Sequence, residues 1–432
     1  MQRLVVSENR RFLAYEDGTP FFYLADTAWE LFHRLDREEA DRYLRDRAAK
    51  RFTVIQAVVL AERDGLNDPN PYGHLPLYDH DPTRPNEAYF KHVDYIVERA
   101  AALGLVIGML PTWGDKWNLK WGVGPEIFTP DNARHYGRWL GRRYAKYPII
   151  WILGGDRPVE TATHLSIIRE MALGLKEGDG GTHLASFHPS GGHTSAEVWH
   201  AEAWLDFNMI QSGHTRNQDT YRVVAADYAR LPVKPCMDAE PAYEDHPSSF
   251  DLDNGYLDDY DVRKGLYWAL FSGAFGHTYG CHDIWQMWQV GRDPATFART
   301  PWETALALPG AAQMQHGRAL LESRPFFSRI PEPALIISDP GNGTHRVVAT
   351  RDVDGTYALV YLPSCRPVTL DLDLLDVPEL NVTWYDPRTG TSRPAGKVPG
   401  GGRREFTPPP VWPDWVLVLD DARSGYPIPG AR

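Results

Sequence analysis

Two acidic residues follow short apolar stretches of this sequence, and their types and spacing could do chemistry. Asp156 ends the run IIWILGGD, and Glu240 lies in KPCMDAEPAYE, where Pro241 stops the predicted strand. A pair of carboxyl groups can cleave a glycosidic bond, because one donates a proton to the leaving oxygen while the other faces the developing oxocarbenium ion. One such acid alone is better explained as a salt bridge or a loop cap, but two acids at equivalent strand ends favour catalysis.

Strands must bring these acids together, and the sequence predicts eight strands that alternate with eight helices. This alternation is typical of a (β/α)8 TIM barrel, an α/β fold. A doubly wound open sheet could alternate similarly, but no GxGxxG or P-loop follows the first strand. The predicted strands are 21–26, 53–59, 105–111, 149–156, 184–188, 207–211, 234–240 and 277–280, and the predicted helices are 36–50, 86–103, 131–146, 161–176, 195–204, 219–230, 257–272 and 311–322.

The pattern changes near Arg324-Pro325. Helical periodicity disappears, and short β-rich runs separated by turn clusters predict a small antiparallel β-sandwich. We therefore predict a catalytic barrel over 1–325 and a β-sandwich domain over 326–432, with its tryptophans in core or interface positions. The predicted strands of this second domain are 334–337, 345–350, 357–361, 368–372, 381–385 and 415–419, and its tryptophans are Trp384, Trp412 and Trp415.

In barrels the active site lies at the C-terminal ends of the strands, so the residues at these ends should meet. Here they are amides, histidines and acids that can bond sugar hydroxyls, together with aromatic rings that can stack on sugars. The predicted substrate-binding residues are Asp26, Trp29, Gln56, Trp113, His188, Gln211, Asp238, Tyr279, His282 and Trp285.

The other acids near these strand ends have weaker catalytic claims. Asp26 is expected to bind a sugar hydroxyl or cap the following turn. Strand alternation places Asp238 on the same inward face as Glu240 but one layer lower, as an orienting group for that carboxylate. Glu244 and Asp245 follow Pro241, and solvated loop positions are the expectation for them.

Alternatives to a carboxyl pair are possible. His188, His193 and His214 follow the fifth and sixth strands, as in some metal hydrolases, but the first strand ends in Ala-Asp-Thr rather than His-x-His. No Gly-x-Ser-x-Gly segment supports serine hydrolysis. We therefore expect no metal and no cofactor. From geometry alone the carboxyl separation could be the ~5–5.5 Å of a retaining enzyme or the ~6.5–9.5 Å of an inverting one.

The bulk properties limit the possible partners. The 432 residues carry a net charge of -12, which argues against nucleic acid and anionic membranes and leaves a neutral carbohydrate open. Three cysteines form no disulfide framework. The N-terminal stretch has no signal-peptide core, and no run approaches the ~18 apolar residues of a membrane span. These features predict a cytoplasmic protein if no leader has been removed; they do not predict an oligomeric state.

Seven segments, in order, give the chain a family resemblance. FFYLADTAWELFHRL, FTVIQAVVLAERDGLN, LPTWGDKWN, WILGGDRP, SFHPSGG, MDAEPAYE and YGCHDIWQM together resemble the apiosidase-like glycoside hydrolases, within a large clan of retaining barrel enzymes. The resemblance implies a (β/α)8 catalytic domain followed by a small β-sandwich named for collagen binding. It also implies that Asp156 is the acid/base and Glu240 the nucleophile. One departure is that the clan's fourth strand usually ends in Asn-Glu, whereas Gly155-Asp156 stands here.

These observations predict a retaining exo-glycosidase that releases a terminal sugar, apiose or another pentose or furanoside, from plant-type glycosides. Burial should raise the pKa of Asp156, while hydrogen-bond donors should keep Glu240 ionised. Two alternatives stay open: an inverting hydrolase on the same fold, and a non-catalytic carbohydrate- or matrix-binding protein.

Overall fold

The structure is a computed structural model that describes residues 2–431. The chain begins with a small antiparallel sheet in the order β1-β2-β3, and it continues with eight parallel strands in the order β8-β7-β6-β5-β4-β11-β10-β9. The small sheet contains β1 (Leu4–Val6), β2 (Leu13–Tyr15) and β3 (Pro20–Phe21). The parallel strands are β4 (Tyr23–Thr27), β5 (Val54–Leu60), β6 (Val106–Thr112), β7 (Ile149–Gly154), β8 (Ala185–His188), β9 (Asn208–Ile210), β10 (Cys236–Asp238) and β11 (Gly276–Tyr279).

The eight parallel strands form a nearly closed barrel, which confirms the predicted fold. Strands β5 and β6 are buried along their whole lengths, as expected for strands covered on both faces. The two end strands of the sheet, β8 and β9, approach each other where the backbone N–H of Asp206 donates to Ala185 O at 2.9 Å.

The long helices follow the predicted alternation. The helices are α1 (Leu31–Arg34), α2 (Arg37–Ala49), α3 (Glu87–Ala102), α4 (Pro130–Tyr144), α5 (Ala162–Asp179), α6 (Ala196–Trp199), α7 (Thr220–Tyr228), α8 (Asp259–Phe271), α9 (His282–Trp285), α10 (Trp302–Ala305) and α11 (Pro309–Glu322). Capping boxes fix the starts of α2, at Asp36 with Glu39, and of α8, at Asp258 with Asp261. The helix predicted over 195–204 is wrong in length: only α6 forms, because the chain then turns towards β9.

The C-terminal region is built of antiparallel sheets, in agreement with the predicted sandwich. Its six-stranded sheet has the order β12-β13-β14-β19-β16-β17, and β15 pairs with β18. The strands are β12 (Arg329–Pro331), β13 (Val348–Asp352), β14 (Tyr357–Leu362), β15 (Val368–Asp371), β16 (Glu379–Asp386), β17 (Thr391–Pro399), β18 (Arg403–Phe406) and β19 (Trp415–Asp421).

Some strand predictions for this region are wrong. Residues 334–337 form no named strand; a single 3-10 turn covers Pro333–Leu335 because the proline has no N–H for a strand ladder. Strands β12, β17 and β18 were not predicted. Most of β17 is exposed and polar, so it has no alternating apolar pattern to detect. Trp384 and Trp415 are buried as expected; Trp412 is 61% exposed, and its ring centroid lies 6.4 Å from that of Tyr260 on α8.

The six-stranded sheet packs directly on the barrel. Tyr361 of β14 stacks on Tyr267 of α8 with ring centroids 4.8 Å apart. The buried Arg263 guanidinium of α8 binds the buried Asp414 carboxylate at 2.8 Å. The inner face of this sheet therefore belongs to the same apolar core as the barrel, and it supports α8, the helix that follows the β10 loop.

None of the helices within residues 2–431 is both long enough and apolar enough to cross a bilayer.

Candidate active site

A cleft of about 590 Å³ opens at the C-terminal ends of the barrel strands. Asp156 and Glu240 both line it, so the structure brings the two predicted carboxyl groups to one site. The other lining residues come from the loops that follow the strands: Trp29, Glu62, Arg63, Trp113, Trp121, Pro158, Ser190, Gly191, His193, His214, Tyr243, His246, Phe250, His282, Trp285, Ala295 and Thr296.

A β-bulge turns Glu240 towards the cleft. The backbone N–H groups of Ala239 and Glu240 both donate to Ile210 O, at 2.8 and 3.3 Å, so two residues stand opposite one partner. Before the bulge, Asp238 shares a face with Cys236, whose thiol packs against α7. The prediction that Asp238 and Glu240 share the inward face is therefore wrong, because the bulge interrupts the alternation between them.

Two histidines hold the Glu240 carboxylate. His188 Nε2 lies 2.8 Å from Oε2, and His214 Nε2 lies 3.2 Å from Oε1. Burial acts to raise the pKa of Glu240, but the close approach of the two imidazoles outweighs it and keeps the pKa well below the usual range. Glu240 is thus an ionised carboxylate at neutral pH, as expected for a nucleophile.

His214 was considered in the sequence only as a metal ligand, and its observed position is different. Its Nδ1 contacts Pro241 O at 3.0 Å, while Nε2 faces the Glu240 carboxylate. Its ring packs against Tyr243 and His246, with centroid distances of 4.2 and 4.6 Å. Its position in the sequence could have indicated this contact, because His214 follows the sixth barrel strand and so lies on the same rim as Glu240.

Two glycines make the turn that presents Asp156. Gly154 and Gly155 have φ values of 95° and 99°, and Asp156 itself is left-handed at 55°. A Cβ on Gly154 would lie 2.3 Å from His188 O, and one on Gly155 would lie 2.7 Å from the Gly114 N atom. The Gly-Gly-Asp sequence therefore allows the end of β7 to pass against β8 and the loop after β6 while the acid points into the cleft.

Asp156 has different neighbours from Glu240. Its Oδ2 accepts hydrogen bonds from Trp121 Nε1 and Arg157 Nη1, both at 3.2 Å, and its side chain keeps 23% exposure. Burial and the nearby charge of Glu240 raise the pKa of Asp156, and they outweigh Arg157, His188 and Trp121. The shift has the direction expected of a general acid.

Several predicted sugar-binding residues lie in the cleft or against its carboxylates. Trp29, Trp113, His282 and Trp285 line the cleft. Trp29 packs against Trp113 and His188 with ring centroids 5.2 and 5.3 Å away. These rings form an aromatic wall beside Glu240.

Two predicted residues face the helices instead, and their assignment to the cleft is corrected. Asp26 is fully buried and accepts 2.6 Å hydrogen bonds from Tyr43 and Arg47 of α2. Tyr279 is also buried, and its hydroxyl donates to Glu244. Neither side chain is among the residues that line the cleft. Strand alternation places both on the outer face of the barrel.

Three other predicted residues are buried and do not line the cleft. Gln56 donates to Thr278 Oγ1 at 2.8 Å inside the barrel. Gln211 is 5% exposed. Asp238 accepts a 2.6 Å hydrogen bond from Ser212 Oγ, and burial raises its pKa to about 7. Contacts within the protein therefore engage Gln56 and Asp238.

The expectation that Glu244 and Asp245 are solvated loop acids is wrong. Glu244 is 3% exposed and accepts from Tyr279 and from the Gly310 N–H at 3.0 Å. Asp245 is 6% exposed, and it binds Arg299 and Thr300 Oγ1. Both acids fix the β10 loop against neighbouring segments.

Sequence reasoning missed several cleft residues, because long loops carry them. Glu62 and Arg63 follow β5, Trp121 follows β6, and Phe250 follows β10. Burial raises the pKa of Glu62 to about 8 despite the opposing charge of Arg157. Within residues 2–431, no three His, Cys, Asp or Glu side chains are placed to bind one metal ion.

Two family models match successive parts of the chain. Residues 7–328 match the family model described as "Apiosidase-like, catalytic domain", and residues 330–420 match "Putative collagen-binding domain of a collagenase". No curated protein matches the chain.

Solved structures extend the comparison. A glycoside hydrolase family 5 protein from Bacteroides vulgatus ATCC 8482 is 33% identical, with coverage of 98% of this chain and 94% of its own and a TM-score of 0.90. A structure named only as a glycoside hydrolase is 34% identical, with coverage of 98% and 97% and a TM-score of 0.90. The chain is therefore a glycoside hydrolase that belongs to the apiosidase-like family.

Proposed function

We propose that this protein is a retaining exo-glycosidase that releases a terminal apiose, or another pentose or furanoside, from plant-type oligosaccharides or glycosides. The observation that carries the proposal is the pair of cleft carboxyl groups with opposite pKa directions. Glu240 is kept ionised, whereas the pKa of Asp156 is raised. Retaining glycosidases need this division between a nucleophile and a proton donor.

In the first step, Glu240 attacks the anomeric carbon. Asp156 donates its proton to the glycosidic oxygen as the bond to the leaving group breaks. His188 and His214 face the two carboxylate oxygens of Glu240, so they restrict its orientation before attack. The product of this step is a glycosyl ester on Glu240 and a free alcohol.

In the second step, Asp156 acts as the base. It removes a proton from water, the water oxygen attacks the anomeric carbon, and the ester bond to Glu240 breaks. Once Glu240 is esterified it no longer carries the negative charge that raises the pKa of Asp156. The pKa of Asp156 therefore falls, and its ionised carboxylate can accept the proton at the stage when a base is required.

The family description supports apiose as the sugar. The cleft volume of about 590 Å³ suits one or two sugar rings. We propose that the C-terminal domain supports the barrel structurally, since its inner face packs on α8 and shares the barrel's core.

A substrate screen tests the proposal. The wild-type protein is incubated with 4-nitrophenyl β-D-apiofuranoside and with the corresponding arabinosides and xylosides in both ring forms and both anomers, and proton NMR identifies the first-formed anomer. We expect hydrolysis of at least one pentoside with retained configuration. Hydrolysis with inverted configuration would contradict the mechanism, and hydrolysis of hexosides alone would contradict the sugar.

A further inference from the structure

We infer that the indole ring of Trp121 is the binding surface for the leaving group, and that it favours a leaving group with a flat or chair-shaped ring. This inference rests on the proposed function, because it uses Asp156 as the proton donor.

The position of Trp121 ties it to one catalytic group. Its Nε1 donates to Asp156 Oδ2 at 3.2 Å, and it lines the cleft with 62% of its surface exposed. The proton of Asp156 goes to the oxygen of the departing group, so the atoms bonded to that oxygen must lie beside Asp156. A ring that contacts Asp156 is therefore next to the leaving group.

One face of the indole already has a partner. The Arg157 guanidinium carbon lies 5.0 Å from the ring centroid, and the arginine side chain is fully buried. Since the guanidinium occupies one face and more than half of the residue's surface is exposed, the opposite face is available to a ligand. An indole face binds the C–H groups of a sugar ring or the face of an aryl ring, but it offers little to a methyl group.

Contacts within the protein hold the loop that carries Trp121. Trp121 has a φ of 39°, a backbone conformation that bulky residues rarely adopt. The buried Asp115 carboxylate accepts from the N–H groups of Val123 and Gly124, at 3.1 and 2.8 Å, and also binds Lys116. A Cβ on Gly122 would lie 2.1 Å from the Asp115 Cβ, so glycine is required beside Trp121. These contacts hold the backbone that presents the indole ring to the cleft.

Phe250 provides a contrast on another wall. It also has a positive φ, 61°, and is 57% exposed, but its ring packs against His214 and His246. His214 faces Glu240, so Phe250 belongs to the nucleophile's side of the cleft. The leaving-group preference should therefore depend on Trp121 and not on Phe250.

The test compares Trp121→Ala, Trp121→Phe, Phe250→Ala and Trp412→Ala with wild type. Trp412 is a matched control, because it is 61% exposed in the C-terminal domain. The measured quantities are the KM for the 4-nitrophenyl glycoside that wild type hydrolyses, and the Ki values of the methyl glycoside of the same sugar and of a disaccharide in which that sugar is linked to a pyranose.

For Trp121→Ala we expect the KM of the aryl glycoside and the Ki of the disaccharide to rise about tenfold, and the Ki of the methyl glycoside to change less than about twofold. An increase for only the aryl glycoside or only the disaccharide identifies which ring is recognised. For Trp121→Phe, the KM and both Ki values should stay within about threefold of wild type, because phenylalanine keeps an aromatic ring. Trp412→Ala should match wild type, and Phe250→Ala should affect all three ligands equally.

Trp121→Phe also separates the stacking role from the hydrogen bond to Asp156. The indole N–H favours the ionised form of Asp156, so its loss should raise the pKa of Asp156 and move the alkaline limb of kcat/KM to higher pH. If Trp121→Ala weakens all three ligands equally, or none, the inference is wrong. If wild type hydrolyses no glycoside, the proposed function fails instead, so the two failures are distinguishable.

Discussion

The ends of β7 and β10 each present one carboxyl group to the same cleft, and they do so by different means. At β7, two left-handed glycines and a left-handed Asp156 turn the chain. At β10, a bulge over Ile210 O rotates Glu240 out of the alternation. Both groups are largely buried, yet their pKa values shift in opposite directions.

The neighbours of the two carboxyl groups explain this difference. Glu240 has an imidazole nitrogen at each oxygen, which stabilises its ionised form. Asp156 contacts one arginine, Arg157, but burial and the nearby negative charge of Glu240 outweigh that contact and favour the protonated form of Asp156. Burial alone therefore does not determine the role of a carboxyl group here; the charges that accompany burial do.

Removing the Glu240 charge should have the largest effect. We expect Glu240→Gln to lower kcat/KM by about 10⁴-fold or more, because an amide cannot form the glycosyl ester. The released sugar should still bind with a Kd within about tenfold of wild type, since the rest of the cleft is unchanged. Steady-state kinetics and calorimetry measure both quantities. Activity within tenfold of wild type would remove Glu240 from the mechanism.

Removing the Asp156 proton should have an effect that depends on the leaving group. For Asp156→Asn we expect kcat/KM to fall by about 10³-fold on a disaccharide but by about tenfold or less on a 2,4-dinitrophenyl glycoside, whose leaving group needs no proton. Azide should accelerate the variant, because azide can replace water as the nucleophile and needs no base to remove a proton. Equal losses on both substrates would show that Asp156 does not act as the acid.

Removing a histidine beside Glu240 should make the pKa values of the two carboxyl groups more alike. In His214→Ala one imidazole contact with Glu240 is lost, and we expect kcat/KM to fall by about 10- to 100-fold. The loss of this imidazole also raises the pKa of Glu240. Because Glu240 must be ionised to attack, the acid limb of the kcat/KM profile then moves to higher pH. His193→Ala is a suitable control, since His193 is more than half exposed and contacts Glu197. An unchanged acid limb in His214→Ala would contradict the role given to His214.

The third carboxyl group of the cleft should show the smallest effect. The pKa of Glu62 is raised to about 8, so it is mainly protonated at pH 6, and glutamine imitates that form. We expect Glu62→Gln to remain within about threefold of wild type in kcat/KM at pH 6. The two pH profiles should separate only near and above pH 8. A large loss at pH 6 would show that Glu62 is ionised and takes part in the reaction.

The barrel could be predicted from the sequence because its strands are continuous apolar runs between well-capped helices. Asp156 and Glu240 could be located for the same reason, since each ends a predicted strand and lies two residues beyond the end of the observed one, at Gly154 and Asp238 respectively. The orientation of Asp238 could not, because a bulge depends on which carbonyl of β9 accepts two neighbouring N–H groups.

The sequence patterns did not predict where residues on long loops lie. Trp121 lies outside any helix or strand, and Phe250 ends a single 3-10 turn, Ser248–Phe250. Their positive φ values have no signature in residue type. Glu244 was expected in solvent, but packing against Tyr279 and Gly310 buries it. Such contacts join segments far apart in the chain, so local patterns do not reveal them.

The most direct test of the account is to trap the covalent intermediate. The enzyme is incubated with a 2-deoxy-2-fluoro glycoside that carries a 2,4-dinitrophenyl leaving group and the sugar found in the screen, and the digested protein is sequenced by mass spectrometry. We expect one sugar per chain, attached to Glu240. Attachment to Asp156 or another residue, or rapid turnover with inverted configuration and no attached sugar, would contradict it.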